Sequence, residues 1–173
     1  MISAIVAVDN NFGIGSNGDL LCSIKEDLAH FKKITTNNIV IMGRKTWDSL
    51  PKKPLPNRIN IVITNSFEGD YFIFNSVVYA KLDFIKRVIK RIKEDNDIFV
   101  IGGGQIYKEL LPYCEYIHLT KIHKSFDNVD TYFPNIDKDE NWEVYGNDIV
   151  RNDNGVDYQF CIYKNKGEIE WLY

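Results

Sequence analysis

Four short apolar runs constrain the fold of this chain more than any other feature of its sequence. They are ISAIVAV (2–8), NIVIMG (38–43), INIVIT (59–64) and DIFVIGG (97–103). Nearly continuous apolar runs of this length are typical of strands that are buried on both faces, as in a parallel sheet covered by helices. Segments with helical features separate or follow these runs, which predicts an alternation of strands and helices.

Four helices are expected. The first opens with Ser23 and Glu26 in the S-x-x-E pattern of a capping box. The third is amphipathic, with apolar residues on one face and lysines and arginines on the other. The four helices are predicted to cover about 24–35, 43–50, 82–94 and 103–114.

The last third of the chain changes character. Residues 115–122 and 157–164 alternate between apolar and polar side chains with the two-residue period of half-buried strands. Residues 141–150 are the expected hairpin partner, with a turn at 152–155. The sequence therefore predicts an α/β fold in a single domain, with a mostly parallel central sheet, flanking helices and a C-terminal antiparallel hairpin. The tail 165–173 receives no assignment.

The composition excludes several classes of protein. The chain has 173 residues, which fits one domain (1–173), and its formal net charge is −3. This charge gives no electrostatic basis for a nucleic acid or an anionic membrane as partner, and no apolar run is long enough to span a bilayer. Three cysteines without metal-type spacing, Cys22, Cys114 and Cys161, indicate free thiols in a reducing compartment. We expect a cytoplasmic monomer without a bound metal.

Residues that could contact a ligand lie at the ends of three of the four apolar runs. Gly43 to Thr46 follow the second run, Thr64 and Asn65 the third, and Gly102 to Gln105 the fourth. In open α/β sheets, ligands bind beyond the carboxyl ends of the strands, where glycines let backbone N–H groups approach a phosphate. The glycine run alone also fits a simple requirement for close packing, because it is neither a Walker motif nor G-x-G-x-x-G. Together with the basic pair Arg44-Lys45, it favours a polyphosphate ligand such as a nucleotide cofactor.

One carboxylate lies on an apolar helix face. Ile24, Leu28, Phe31 and Ile34 recur with helical spacing, and Asp27 falls on the same stripe. A carboxylate near a helix start can simply favour the helix dipole. The S-x-x-E pattern already provides a cap, however, and a partly desolvated carboxylate is costly without a partner. A cationic or amidine-like ligand between apolar walls would remove that cost.

Other reactive side chains show no catalytic pattern. His30, His118 and His123 are not spaced as metal ligands, and His30 lies two positions off the apolar stripe, where we expect it to be solvated. Cys22 would act as a nucleophile only if its pKa were lowered, and nothing beyond a nearby helix N-terminus argues for that.

Six motifs follow one another along the chain: AVDNNFGIG (7–15), KEDLAHFKK (25–33), VIMGRKTWDSLP (40–51), VIGGGQIY (100–107), HLTKI (118–122) and DTYFP (130–134). In this order they resemble the dihydrofolate reductase family, and the resemblance covers almost the whole chain. The first motif is similar to the start of the family's mobile active-site loop, the second to the helix that bears its carboxylate, and the next two to its cofactor loops. The resemblance implies NADPH-dependent reduction of 7,8-dihydrofolate, with hydride transfer to C6 and a proton to N5.

The resemblance implies a substrate site around Asp27. This side chain would accept hydrogen bonds from the 2-amino group and N3 of the pterin, Thr120 would support it, and Arg58 would hold the α-carboxylate of the glutamate as a fork. Leu20 and Cys22 would complete the catalytic group, on a loop over 9–23 that closes over the nicotinamide. The other substrate contacts would be Ile5, Val6, Ala7, Leu28, Phe31, Leu50, Leu55, Ile101 and Tyr107.

The resemblance also implies NADPH as cofactor. It implies a cis bond between Gly102 and Gly103, a rare feature outside proline, and pyrophosphate contacts from the helix that follows. The cofactor contacts would be Ala7, Ile14, Gly15, Leu20, Gly43, Arg44, Lys45, Thr46, Thr64, Asn65, Ile101, Gly103, Gly104, Gln105, Ile106, Tyr107 and Thr131. Antifolates with a protonated pteridine, such as methotrexate, would pair with Asp27.

Two positions depart from the family pattern. Leu21-Cys22 stands where the family usually has Pro-Trp, whose tryptophan helps to seat an ordered water near the pterin. Gln105 stands where many relatives have an arginine, so preference for NADPH over NADH would depend mainly on Arg44 and the residues after the third apolar run. Two alternatives stay open: a reductase of the same fold that acts on another heterocycle, such as a pyrimidine intermediate of flavin synthesis, and a nucleotide- or folate-binding module without turnover.

Overall fold

A ten-stranded, mostly parallel sheet runs through the protein, whose computed structural model describes residues 1–172. The strands of this sheet and of a small three-stranded sheet are β1 (Ile2–Val8), β2 (Gly13–Ser16), β3 (Asp19–Leu20), β4 (Ile39–Gly43), β5 (Ile59–Ile63), β6 (Tyr71–Phe74), β7 (Val77–Ala80), β8 (Ile98–Gly102), β9 (Tyr116–Ile122), β10 (Thr131–Tyr132), β11 (Trp142–Asn147), β12 (Arg151–Asp153) and β13 (Val156–Asn165). The α-helices are α1 (Lys25–Thr35), α2 (Arg44–Ser49), α3 (Leu82–Asp95) and α4 (Gly104–Leu110).

The strand order of the large sheet is β11-β13-β9-β1-β8-β4-β5-β7-β6, and β12 pairs with β13. The six strands from β9 to β7 in this order are parallel. Antiparallel pairs occur at the two edges, where β6 joins β7 and the C-terminal strands join β9. The four apolar runs thus form adjacent parallel strands, and the predicted α/β class with its C-terminal antiparallel hairpin is confirmed.

Helices cover both faces of the sheet, which explains why the strands are apolar without alternation. One core cluster contains residues of α3 and α4 together with Ala4 and Val6 of β1. A second cluster contains Trp47 of α2 and Ile5 of β1, with the partly buried Phe31 of α1 packed against it. Because successive side chains of a strand point to opposite faces, two helices lie on each side of the sheet.

Two groups of strands were not predicted from the sequence. Strands β6 and β7 form an edge hairpin that turns at Asn75 and Ser76, which have φ values of 48° and 63°. Every residue of β6 is exposed, although its sequence YFIF is apolar throughout. Two short runs of strand-forming residues around Asn75-Ser76 were therefore an available signal that sequence reasoning missed. Strands β2, β3 and β10 form the small sheet, and they are only two to four residues long.

The start of α1 differs from the prediction. Its N-cap is Ile24, whose own side chain provides no capping hydrogen bond, so the capping box predicted from Ser23 is wrong. Lys25 N instead donates to the Asp153 carboxylate at 3.1 Å. The cap therefore comes from the C-terminal hairpin, a partner that a local sequence pattern does not contain.

Glu26 does not take part in the predicted capping box either. It accepts hydrogen bonds from Arg151 and from the Tyr158 hydroxyl of the C-terminal hairpin. Arg151 donates further to Asp148 at 2.6 Å. The hairpin thus holds the first turn of the helix that carries Asp27 through several polar contacts.

The C-terminal strands agree with the prediction in type and differ in extent. The expected strand over 141–150 ends at Asn147. Two residues of the expected turn belong to β12, and the chain reverses at Asn154 and Gly155 with positive φ. In the tail that received no assignment, Ile169 and Trp171 pack against the larger core cluster, and Lys93 lies 4.5 Å from the Trp171 ring centre.

Within residues 1–172, no helix combines the length and the apolar character that crossing a bilayer requires.

Candidate active site

The candidate site lies where α1 crosses the parallel strands near their carboxyl ends. Strands β1, β8 and β4 are neighbours in the sheet, and they end at Val8, Gly102 and Gly43. On the other side of β1, Thr120 of β9 pairs in register with Ala7. This edge is where open α/β sheets bind ligands, and it brings together residues that are far apart in the sequence.

Asp27 and Thr120 form the polar centre of the site. The Thr120 hydroxyl, which is buried in β9, donates to Asp27 Oδ1 at 2.5 Å. Burial raises the pKa of Asp27, while the Thr120 hydrogen bond and the nearby His30 oppose that rise. Within residues 1–172, Asp27 Oδ2 has no hydrogen-bond partner. The carboxylate therefore keeps one oxygen free for a ligand.

The position of Asp27 fits both a favourable interaction with the helix dipole and a role in a ligand site. Asp27 lies in the first turn of α1, where a carboxylate favours the helix dipole. It is also half-buried against the sheet and held by Thr120. Leu28, the next residue, is 48% exposed, so the apolar stripe of α1 is only partly covered.

Tyr107 fixes the floor of the site. Its hydroxyl donates to the Ile5 carbonyl at 2.7 Å, and burial raises the pKa of the hydroxyl far above its usual value. A Cβ on Gly102, whose φ is +119°, would lie 3.2 Å from the Tyr107 ring. Gly102 is therefore required for both its backbone conformation and its close contact with the ring.

The apolar wall comes from α1 and from the segment after α2. Four partly buried side chains pack against the second core cluster, which contains Ile5 and Trp47: Phe31, Leu50, Leu55 and Ile101. The backbone of Leu55 is held by the buried Asn60 side chain, through hydrogen bonds of 3.0 and 2.9 Å. Sequence reasoning missed Asn60, because an isolated polar residue inside an apolar strand gives no indication of what it binds.

Arg58 lies at the end of this wall. Its Nη1 donates to the Thr35 hydroxyl at 3.0 Å, its Nε donates to the Pro56 carbonyl at 3.0 Å, and the guanidinium lies 5.8 Å from the Phe31 ring. Burial lowers the pKa of Arg58. A guanidinium has five donors, and these contacts use two of them, so an anion can still bind in a fork.

The glycine turns form a tight cradle between three segments. A Cβ on Gly104 would lie 2.9 Å from the Thr131 methyl group, and one on Gly103 would lie 3.3 Å from the Thr46 hydroxyl. A Cβ on Gly43 would lie 3.0 Å from the Ile106 side chain. The close-packing interpretation of the glycine run is thus confirmed, and the packing aligns the starts of α2 and α4.

The Gly102–Gly103 peptide bond is cis, as the family resemblance implied. Gly103 is the N-cap residue of α4 and has no side chain to cap the helix. The first N–H groups of a helix lack intrahelical partners. Such an N-terminus favours an anion.

The charged and hydroxyl candidates around the cradle have partners of their own. Arg44 Nε lies 3.0 Å from the Asp48 carboxylate, and both side chains are about half exposed. The Thr64 and Ser66 hydroxyls are 3.0 Å apart, and Gln105 donates to Glu109 at 3.0 Å. Among the other cofactor candidates, Ile14 and Gly15 are partly buried, whereas Lys45 and Asn65 are exposed.

The loop after β1 is anchored by Asp9, which sequence reasoning missed. This side chain is 2% exposed, and its two oxygens accept hydrogen bonds from the backbone N–H groups of Asn11, Gly13 and Phe126 at 2.9, 2.7 and 3.2 Å. The sequence DNNFG has the composition of an Asx turn, which was the available signal. At the tip of this loop, Leu20 is 69% exposed.

Cys22 is half-buried and packs against a third apolar cluster, which contains Ile24, Ile122 and Tyr158. Burial, together with the charge of Asp27, raises the pKa of this thiol. Cys22 is therefore a thiol rather than a thiolate at neutral pH, which agrees with the weak sequence case for a nucleophile.

His30 was expected to be solvated, whereas it is half-buried. Its ring stacks against Phe160 of β13, with ring centres 4.5 Å apart. Burial lowers the pKa of His30. The sequence pattern failed because it placed the covering surface on one stripe of α1 only, whereas the C-terminal hairpin covers a second stripe.

A half-buried carboxylate next to glycine-rich turns, at the carboxyl edge of a parallel sheet, is the architecture of an α/β enzyme with a small-molecule site. The chain matches the family model described as dihydrofolate reductase over residues 1–165. It therefore belongs to the dihydrofolate reductase family.

Individual relatives support this membership. The chain is 40% identical to a dihydrofolate reductase from Bacillus subtilis, over 96% of this chain and 95% of the relative. It is 36% identical to one from Heliothis virescens, over 94% and 96% of the two chains. It is 37% identical to one from Buchnera aphidicola, over 92% and 95%. The family-model match over residues 1–165 includes both α1 and the C-terminal strands.

Proposed function

We propose that this protein reduces 7,8-dihydrofolate to 5,6,7,8-tetrahydrofolate with NADPH. The observation that carries the proposal is the half-buried Asp27 carboxylate, with one oxygen bound to Thr120 at 2.5 Å and the other free, in a chain of the dihydrofolate reductase family. A pterin presents an amidine-like edge with two parallel donors. Asp27 would accept hydrogen bonds from the 2-amino group and N3, and a charge-assisted pair of this kind is stronger than a neutral one.

The remaining walls fit the rest of the substrate. The pterin ring would lie against Ile5 and Phe31, and the aminobenzoyl group would contact Leu50 and Leu55. The free donors of Arg58 would bind the α-carboxylate of the glutamate, and the Thr35 and Pro56 contacts hold the guanidinium in place for this. Because Arg58 is already ordered, little side-chain entropy is lost on binding.

The glycine cradle fits a dinucleotide. A Cβ on Gly104 would meet the Thr131 methyl group at 2.9 Å, so glycine at this position lets α4 begin close to Thr131, at the edge of the sheet. The start of α4 would hold the pyrophosphate, and Arg44, Lys45 and Thr64 would hold the phosphate of the adenosine. Bound NADPH supplies the hydride.

The protein's own contribution to the chemistry is orientation and charge. The reaction adds a hydride at C6 of the pterin and a proton at N5. The negative charge of Asp27 favours a proton on the pterin, and water delivers it at N5. Apolar neighbours lower the local polarity, which strengthens this electrostatic effect. Leu20 and Cys22, on the loop after β1, would close over the nicotinamide.

A spectrophotometric assay of NADPH oxidation with dihydrofolate tests the proposal. Asp27→Asn should lower kcat/KM at neutral pH by about 10²- to 10⁴-fold, the range typical of a group that controls proton transfer. Asp83→Asn, on the exposed start of α3, is the matched control and should keep full activity. Full kcat/KM in the Asp27→Asn variant would refute the assignment.

The same assay separates the alternatives. Turnover of a pyrimidine substrate without turnover of dihydrofolate would indicate the related reductase. NADPH binding without turnover of either substrate would indicate a binding module. The free donors of Arg58 favour dihydrofolate, because a substrate without a glutamate tail has no use for a fork at this position.

We further propose that the protein is a cytoplasmic monomer that binds antifolates through Asp27 and has no nucleic-acid partner. The net charge of −3 supports the last point, and three cysteines that form no disulfide support a reducing compartment. Size-exclusion chromatography with light scattering tests the oligomeric state. Calorimetric titration with methotrexate tests the antifolate site, and micromolar or weaker binding would count against it.

A further inference from the structure

Two consecutive carboxylates of α1 are held by two neighbouring strands. The Thr120 hydroxyl of β9 donates to Asp27, and the Tyr158 hydroxyl of β13 donates to Glu26 Oε2. The two strands pair antiparallel, and Tyr158 lies opposite Ile122, two residues beyond Thr120. One pair of hydrogen-bonded strands therefore positions the donors of both carboxylates in the first turn of α1.

Tyr158 is held rigidly by its surroundings. It is 1% exposed and forms the third apolar cluster together with Ile24 and Ile122. Its ring also packs edge-on against Phe160, with ring centres 5.6 Å apart. Burial, together with the hydrogen bond to Glu26, raises the pKa of Tyr158 to about 12, so the hydroxyl keeps its proton at neutral pH. Tyr158 is thus a fixed donor directed at the start of α1.

Glu26 connects this donor to the helix. Both of its oxygens are occupied, because Oε1 accepts a hydrogen bond from Arg151 as well. The side chains of Arg151 and Glu26 are 33% and 48% exposed, so solvent and salt screen this ion pair. The Tyr158 hydroxyl belongs to a buried residue, and its bond to a carboxylate is charge-assisted. The attachment through Tyr158 is therefore the one with which solvent competes least.

The geometry of Asp27 depends on this turn of the helix. Leu28 N donates to the Ile24 carbonyl at 3.1 Å, and this first intrahelical hydrogen bond spans both carboxylates. The first turn of a helix has few internal hydrogen bonds, and such helix ends fray. A rotation of the turn would carry Asp27 away from Thr120, and an attachment at the preceding residue opposes that rotation.

We propose that Tyr158 is a positioning residue for Asp27. Its hydrogen bond to Glu26 fixes the first turn of α1, which keeps Asp27 on Thr120 with its second oxygen available to the substrate. Tyr158 acts through Glu26 and the helix backbone rather than on the substrate itself. The proposal rests on the proposed role of Asp27 in binding the pterin, and it assigns a role in the reaction to a buried hydroxyl outside the candidate site.

Steady-state kinetics of Tyr158→Phe test the proposal. The substitution removes one oxygen and keeps the ring that packs in the third apolar cluster. It should lower kcat/KM for dihydrofolate by about 10-fold, less than the ~100-fold that a misplacement of about 1 Å can cost, and leave the Kd of NADPH unchanged. Tyr163→Phe is the matched control and should keep full kcat/KM. Tyr163 is a buried tyrosine of the same strand, and its hydroxyl also donates to a carboxylate, that of Asp137 at 3.2 Å.

Native-state hydrogen exchange gives a second readout, which requires neither ligand nor turnover. In Tyr158→Phe, the Leu28 amide should exchange about 10-fold faster relative to the amides of β8, as expected for the loss of a hydrogen bond to a charged group. In Tyr163→Phe, this ratio should stay at its wild-type value. A general loss of stability would change exchange throughout the molecule, so the ratio separates a local effect on α1 from a global one.

A double-mutant cycle with Glu26→Ala shows whether Tyr158 acts through Glu26. Glu26→Ala removes the acceptor of the bond, and in that background Tyr158→Phe should cause no further loss of kcat/KM. If Tyr158→Phe does not fold, Glu26→Ala alone provides the test. It should then show the same loss of kcat/KM and the same faster exchange of the Leu28 amide.

Three results would overturn the proposal: full kcat/KM or unchanged Leu28 exchange in Tyr158→Phe, an equal loss of kcat/KM in Tyr163→Phe, or additive losses in the cycle. Where Tyr158→Phe does not fold, full kcat/KM in Glu26→Ala overturns it. Turnover by the wild-type protein tests the proposed function, whereas the exchange ratio tests the attachment of α1, so the two proposals can fail separately.

Discussion

Replacing Thr120 by valine tests the polar centre of the site most directly. The substitution exchanges the hydroxyl for a methyl group of similar shape and removes the donor that lies 2.5 Å from Asp27 Oδ1. Thr120 is 3% exposed, so water has little access to replace the lost bond. The substitution leaves Asp27 Oδ1 without its donor. The resulting loss of stability depends on whether the carboxyl is ionised.

The sign of the pH dependence follows from the pKa of Asp27. Burial raises this pKa in the folded protein, so the native state holds the Asp27 proton to higher pH than the unfolded chain. Ionisation of Asp27 therefore lowers the free energy of unfolding as pH rises through the folded pKa. The Thr120 hydrogen bond favours the ionised form and reduces that loss.

The magnitude follows from the charge on the acceptor. A hydrogen bond to a charged group contributes about 1.5–3 kcal/mol, and one between neutral groups about 0.5–1.5 kcal/mol. Thr120→Val should therefore destabilise the protein more at neutral pH than at acidic pH, where Asp27 is protonated. The expected difference between the two conditions is about 1–2 kcal/mol.

Urea denaturation of wild type, Thr120→Val, Asp27→Asn and the double variant, each at neutral and mildly acidic pH, provides the measurement. The double-mutant cycle should show coupling between the two positions that is larger at neutral pH. Equal destabilisation at both pH values, or additive effects in the cycle, would refute the reasoning.

Three further predictions test separate parts of the structure. Arg58→Gln should raise KM for dihydrofolate, with a much smaller effect on kcat, in steady-state kinetics, because it removes substrate binding that is equal in the ground and transition states. Gly104→Ala should destabilise by about 1–3 kcal/mol through overpacking and weaken NADPH binding, whereas Gly146→Ala, where a Cβ meets nothing within 4 Å, should change neither in urea denaturation and fluorescence titration. Asp153→Ala should cost about 1 kcal/mol as a lost helix cap, while Ser23→Ala should stay within about 0.5 kcal/mol; equal effects of these two variants would contradict the observed cap.

The sheet and its helices could be predicted from the sequence because their signals are local. Continuous apolar runs identify strands that are buried on both faces, and the apolar face of α3 is visible in its spacing: Ile85 and Ile89 are buried, with Phe84 and Val88 packed beside them. The edge hairpin β6–β7 was missed although its two four-residue runs, YFIF and VVYA, are rich in strand-forming residues.

The candidate site was only partly predictable. Asp27 drew attention because it contradicts its apolar surroundings, and the glycine turns did so because of their composition. The partners of these residues lie far away in the sequence: Thr120 is 93 positions from Asp27, and the Asp153 cap is 128 positions from Lys25. No periodic pattern encodes such pairs, which is why the predicted capping box was wrong and the contact of His30 with Phe160 was missed.

The contacts between the C-terminal hairpin and the start of α1 have a consequence for the order of folding. The partners that hold Lys25 and Glu26 lie 128 and 132 residues downstream, so during synthesis the helix is made long before they leave the ribosome. Contacts of such long range slow folding, because a large loop must close before they form. The Asp27 carboxylate thus acquires its final orientation among the last events of folding. A nascent chain that stops short of β12 has all four α-helices and the parallel strands, but not the residues that hold the start of the helix that carries Asp27.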